Sequence, residues 1–114
     1  MAKKTRNRFQ SKKFGRPEKL TPEITLRIAN ALRMGTVVEL AAFFGGIRRS
    51  TFYAWKKRGE SEDSGKYRDF SDTIAQAFAE AEVRFTMIIF EAAKTDWRAA
   101  LCLLERRYSE RWGG

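Results

Sequence analysis

The sequence predicts an all-α fold, and three observations predict it. Apolar side chains recur at spacings of three and four along most of the chain from Ile24 to Leu104, the period of a helix with one buried stripe. Residues that start helices well, Thr21, Ser71 and Asp96, stand just ahead of those runs. Glycines at 35, 45, 46 and 59 fall where the runs stop, as left-handed helix ends require.

The first helix begins at Thr21. Its hydroxyl can cap, Pro22 needs no N–H in the first helical position, and Glu23 complements the helix dipole. Ile24, Ile28, Ala31 and Leu32 then share a face, Met34 closes the helix and Gly35 supplies the stop. Thr36 is expected to open a short second helix, because Thr36-Val37-Val38-Glu39 has the spacing of a capping box. That helix runs from Val37 to about Phe44 and ends at Gly45-Gly46. A third, from about Arg49 to Arg58, buries Phe52 and Trp55 and ends at Gly59. Residues 59–69 are polar, acidic and glycine-containing, and read as a linker.

Ser71 is expected to cap a long helix in which Ile74, Phe78, Ala81, Phe85, Ile88 and Ala92 form a heptad-like seam. Asp96 caps a last helix, whose apolar face carries Trp97, Ala100, Leu101, Leu103, Leu104 and Tyr108 and whose end carries Arg106, Arg107 and Arg111. The resulting organisation is a basic disordered arm at 1–19, a helix-turn-helix domain at 20–59, a linker at 60–70 and a helical hairpin domain at 71–114. The hairpin is too apolar to hide its large side chains within two helices, so some must face other chains.

Composition excludes several kinds of chemistry. At 114 residues and 43% hydrophobic, the chain can bury one small core or one core with a helical appendage. A single Cys rules out a disulfide framework and a Cys-based zinc site. The absence of His removes the most frequent general base and metal ligand. No carboxylate pair stands out as an acid/base couple; Glu80 and Glu82 cannot face one point from one helix. Cys102 is expected in a core. The stretch from Gly59 to Lys66 departs from a phosphate-binding loop, with one residue too many and Tyr67 where Ser or Thr is needed. No enzyme, cofactor, metal or small-molecule substrate is therefore expected. With no apolar run long enough to cross a bilayer and no signal peptide, a soluble intracellular protein without a membrane partner is expected.

Charge points to a polyanion. The formal charge of +9 is carried by the front of the chain. Residues 1–19 hold eight basic side chains against one acid, and residues 20–59 hold seven against two. Residues 60–114 hold eight against eleven. A basic block before an acidic one suggests binding a polyanion in front and associating with protein behind.

Within VELAAFFGGIRRSTFYAWKK at 38–57, a helix-turn-helix signature can be checked residue by residue. Ala42 is the small residue where the helices cross, Gly46 takes the positive φ of the turn, and Ile47, Phe52 and Trp55 lock the second helix on the first. Arg48, Arg49, Ser50 and Tyr53 are then the reading surface for double-stranded DNA, with Thr51 beside them. Lys56, Lys57 and Arg58 are expected to hold phosphates. In the arm, Gly15-Arg16-Pro17 resembles an AT-hook core but has Phe14 where the preceding Arg belongs. Lys12, Lys13 and Arg16 are therefore read as general phosphate binders.

With these pieces in order, the chain resembles the small terminase subunits of tailed bacteriophages. The resemblance runs from Gly15 to Trp112. It rests on GRPEKLTPEI at 15–24, TFYAWKKRG at 51–59, FSDTIAQAFAEAEVR at 70–84 and DWRAALCLLERRYSERWG at 96–113. It implies a non-catalytic packaging protein in the bacterial host cytoplasm that is not a structural component of the virion. Such a protein recognises concatemeric viral DNA, forms a homo-oligomeric ring and hands DNA to the large terminase subunit, which carries the ATPase and nuclease. By position, Arg48, Arg49, Ser50 and Tyr53 would touch DNA. Ile74, Phe78, Phe85, Ile88, Ile89, Ala92, Trp97, Leu101 and Leu104 would build the ring. Many members have a longer C-terminal segment that contacts the large subunit, whereas this chain stops at Gly114. Two other readings stand beside this one. One is a dimeric helix-turn-helix transcriptional regulator or mobile-element DNA-binding protein, paired through the 74–92 seam. The other is an interaction or inhibitor protein that diverts a packaging machine and needs no specific DNA.

Overall fold

A computed structural model describes residues 19–113, so Lys12, Lys13 and Arg16 lie outside the described residues. The described residues form six helices and no strand: α1 Pro22–Arg33, α2 Val38–Gly45, α3 Arg49–Glu60, α4 Lys66–Ala93, α5 Trp97–Arg107 and α6 Ser109–Trp112. The chain divides into two compact units, Met1–Ala81 and Glu82–Gly114.

In the first unit, α1 starts as its sequence predicts. The Ile24 N–H donates to Thr21 Oγ1 at 3.2 Å, and Pro22 occupies the first helical position. Ile28, Ala29 and Leu32 are buried, flanked by Ile24 and Ala31. The helix closes in a Schellman motif, in which Gly35 N–H donates to Leu32 O at 2.9 Å and Thr36 N–H to Ala31 O at 3.2 Å. This closure overturns the capping box expected at Thr36. Thr36 belongs to the end of α1, and the N-cap of α2 is Val37, which makes no side-chain capping bond.

The turn from α2 to α3 repeats the device. Gly46 sits at φ 91°, its N–H donates to Phe43 O at 2.9 Å, and Ile47 N–H donates to Ala42 O at 3.0 Å. A β-carbon is strained at that φ, so the glycine is required there. Ile47, Phe52 and Trp55 then fold inward onto Ala41 and Ala42, all within one core. Arg27 supports this turn from α1. Its Nη2 donates to Phe44 O at 3.0 Å and its guanidinium lies 4.3 Å from the centroid of the Phe44 ring.

The expected linker shrinks to residues 61–65. α3 continues through Gly59 to Glu60, and α4 begins at Lys66 rather than at a Ser71 cap. Phe70 is wholly buried, and Tyr67 packs against the core. The Phe70 ring meets Phe52 edge-on at 5.6 Å and Trp55 at 5.8 Å. Ser71 is buried in the middle of a helix. Further along α4, Ile74 and Ala77 complete the core, and Arg33 Nε donates to Glu80 Oε1 at 2.7 Å. The first unit therefore extends through Ala81 instead of ending at residue 59.

Gly59 is thus a crossing point and not a helix stop. A β-carbon there would overlap the Tyr67 carbonyl oxygen and approach Ser71 Cβ at 2.7 Å. Gly59→Ala is expected to lower unfolding stability by about 1–3 kcal/mol, the usual range for overpacking. A urea titration measures it, and an unchanged midpoint would contradict the close crossing of α3 and α4.

The second unit has a different character. Asp96 caps α5 as predicted, accepting from the Arg98 N–H at 3.0 Å and from the Arg98 guanidinium at 3.0 and 3.2 Å. These hydrogen bonds, the side-chain ones first, hold the Asp96 carboxyl below its ordinary value. Yet none of the described residues from 82 to 113 is buried. Cys102, expected in a core, is exposed. It lies two residues from Ala100 and so on the opposite side of α5.

Candidate nucleic-acid interface

One face of α3 gathers most of the predicted reading residues. At about 100° per residue, Arg49, Ser50, Tyr53 and Lys57 fall within roughly a quarter-turn or a little more of the helix surface. All four are exposed, while Phe52, Trp55 and Gly59 occupy the buried side. The core therefore aims the face: Phe52 and Trp55 are held by Phe70, which leaves Tyr53 outward with its ring edge-on to Phe52 at 5.1 Å. The Arg49 guanidinium sits 5.7 Å from the Tyr53 ring centroid, within cation–π range.

The N-terminal end of α3 is suited to an anion. Arg48 is the N-cap and makes no side-chain capping bond, with Arg49 and Ser50 following in the first turn. Helix N-termini carry partial positive charge and present backbone N–H groups. No acidic residue stands in the first turn of α3, where Arg49 adds to that field. Thr51 is half-buried at the edge of the face.

The other end of α3 is balanced by acids. Lys56 Nζ pairs with Glu60 Oε2 at 2.6 Å, and Arg58 Nε pairs with Glu62 Oε2 at 2.6 Å. The Arg58 guanidinium also lies 3.9 Å from the Tyr67 ring centroid. Its hydrogen bond to Glu62 is the main reason it holds its proton more tightly than an ordinary arginine. Of the three cations expected to hold phosphates, Lys56 and Arg58 thus have carboxylate partners within the chain, and Lys57 stays on the exposed face. Sequence reasoning passed over Glu60 and Glu62, although both stand four residues after a cation, the spacing at which helical side chains meet. Arg27 carried no such signal, because its partner is a backbone carbonyl on another helix.

The residues expected to join copies of the chain divide between the units. Ile74 is 0% exposed in the core of the first unit. It cannot face another copy, which corrects that expectation. Phe78, Phe85, Ile88, Ala92 and Trp97 are exposed, whereas Ile89, Leu101 and Leu104 are half-buried. Trp97 is 70% exposed and Ile88 58%, values that leave large apolar surfaces in water.

Among the described residues, no group of three His, Cys, Asp or Glu side chains could hold a metal ion, and no helix is long and apolar enough to cross a membrane. Comparison with protein-family models, curated proteins and solved structures found no match to this chain.

Proposed function

We propose that α2 and α3 form a helix-turn-helix that binds double-stranded DNA, and that the second unit joins copies of the chain. The observation that carries this reading is the outward face of α3. Arg49, Ser50, Tyr53 and Lys57 share one exposed side of a helix whose opposite side is fixed in a core. The N-terminal residues of such a helix reach base edges in the major groove, where arginine grips guanine at two points. The excess of basic residues over 20–59 supplies the sequence-independent attraction.

In the fuller form of the proposal, the protein is non-catalytic and packages viral DNA. It assembles as a homo-oligomeric ring and hands DNA to a large terminase subunit in the bacterial host. The motifs at 15–24, 51–59, 70–84 and 96–113 support this role by resemblance, and the exposed apolar side chains of the second unit support the assembly. A dimeric regulator would need a seam running from residue 74 to 92. The burial of Ile74 and Ala77 in the first unit leaves only the later part of that seam for contact with other copies.

Selection of bound sequences from a random duplex pool, followed by titration of the selected site, tests the reading. Arg49→Ala is expected to weaken that site by about 1–3 kcal/mol and to relax preference at one position. An equal loss on every sequence would make Arg49 a phosphate contact. Failure of the wild-type chain to enrich any duplex would remove the specific-recognition role.

A further inference from the structure

We infer that Glu60 and Glu62 restrain sequence-independent DNA binding by occupying Lys56 and Arg58, so that affinity is weighted toward the N-terminal, base-reading end of α3. This rests on the DNA-binding reading above and assigns a role to two acids inside its site. Without them, α3 would end in three consecutive cations at 56–58, an indiscriminate phosphate grip. With them, Lys56 and Arg58 are each matched at 2.6 Å by a carboxylate. A cation already neutralised by a carboxylate of the chain neutralises less phosphate charge, releases fewer of the counterions condensed on the DNA, and so contributes less to salt-dependent binding.

An exposed ion pair is weak and opens readily, so the pairs are not a lock. Their effect comes from where the fold keeps the two acids. Gly59 is pressed against the Tyr67 backbone, which fixes the last turn of α3. Ser61 returns both its N–H, at 3.1 Å, and its hydroxyl, at 2.9 Å, to Arg58 O, while Glu62 N–H donates to Gly59 O at 3.3 Å. Arg58 is seated over Tyr67. A phosphate that displaced either carboxylate would still meet its negative charge nearby, at the end of the helix whose dipole already disfavours anions. At the opposite end, no acid stands in the first turn.

The test uses the full chain and a random-sequence duplex, with affinity measured across a salt series. Glu60→Gln with Glu62→Gln is expected to bind this duplex about tenfold more tightly, and to steepen the slope of log K against log salt by about 2, the value for two added phosphate contacts. Glu60→Asp with Glu62→Asp keeps the charges and is expected to keep the wild-type slope. Glu105→Gln with Glu110→Gln adds the same net charge in the second unit and is expected to leave the slope unchanged. Each single Gln variant carries about half the change in slope, which serves as the measurement if the double variant does not fold. A wild-type chain that binds while the Gln variants leave affinity and slope unchanged would overturn the inference. An equal rise in the second-unit control would overturn it too, because the effect would then belong to net charge. Absence of wild-type binding at low salt would instead reject the DNA-binding reading on which it stands.

Discussion

Phe70→Ala is expected to lower unfolding stability by about 3–5 kcal/mol, the cost of removing a buried aromatic ring and leaving a cavity. The ring is 0% exposed and meets both Phe52 and Trp55 edge-on. Its loss removes those aromatic contacts together with its burial. A domain of this size has only about 5–15 kcal/mol to lose. The effect should also reach function, because Phe52 and Trp55 set the direction of the exposed face of α3. Urea unfolding followed by tryptophan fluorescence measures the stability, and DNA titration below the unfolding midpoint measures the second effect. Phe78→Ala on the same helix is the comparison. Phe78 is 39% exposed, so the smaller loss expected there separates core burial from general damage to α4. A change within about 0.5 kcal/mol at Phe70, as for an ordinary surface position, would mean that residues 66–70 are the polar connection their composition suggests.

That contrast shows where the sequence was legible. Local rules with a backbone mechanism hold where no tertiary contact competes for the residue. Thr21 and Asp96 accept capping bonds, and Gly46 takes the left-handed turn. The buried set of α1 and α3 was also visible, because Ile28, Leu32, Phe52 and Trp55 follow helical spacing. The failures came where a residue had two plausible uses and tertiary packing chose between them. Thr36 has the composition of a cap, but its N–H closes α1. Gly59 has the composition of a helix stop, but it is the contact point of two helices. The start of α4 was hidden by its polar neighbours, although Tyr67, Phe70, Ile74, Ala77 and Ala81 continue the three-and-four spacing backward. Once those five positions are taken by the first unit, only the later part of the seam remains for other partners. In the candidate interface the cations are legible in the sequence, whereas their pairing with Glu60 and Glu62 depends on α3 running past Gly59, which the glycine conceals.

Ile88→Lys is the substitution expected to break assembly while sparing the first unit. No residue of the described second unit is buried, and Phe85, Met87, Ile88, Phe90 and Trp97 are all exposed. Apolar surface on this scale requires a cover, and the proposal assigns that cover to further copies of the chain. Light scattering on a sizing column is then expected to show a discrete species larger than a dimer. The species should persist in high salt, which screens charge contacts but leaves apolar burial in force. A lysine at position 88 would bury an unpaired charge at each contact, at about 3–5 kcal/mol, and is expected to yield smaller species. DNA affinity should fall with it, because linked binding units lose their mutual advantage when separated. Ile74→Lys provides the discriminating partner. Both positions lie on α4 within the one predicted seam, but Ile74 is in the core of the first unit, so its replacement should unfold that unit rather than simply dissociate copies. A wild-type dimer would favour the regulator reading, and a monomer would assign the apolar helices to a different protein. Equal behaviour of the two lysine variants would show that the seam acts as a single surface, against the division at Ala81 on which the assembly argument depends.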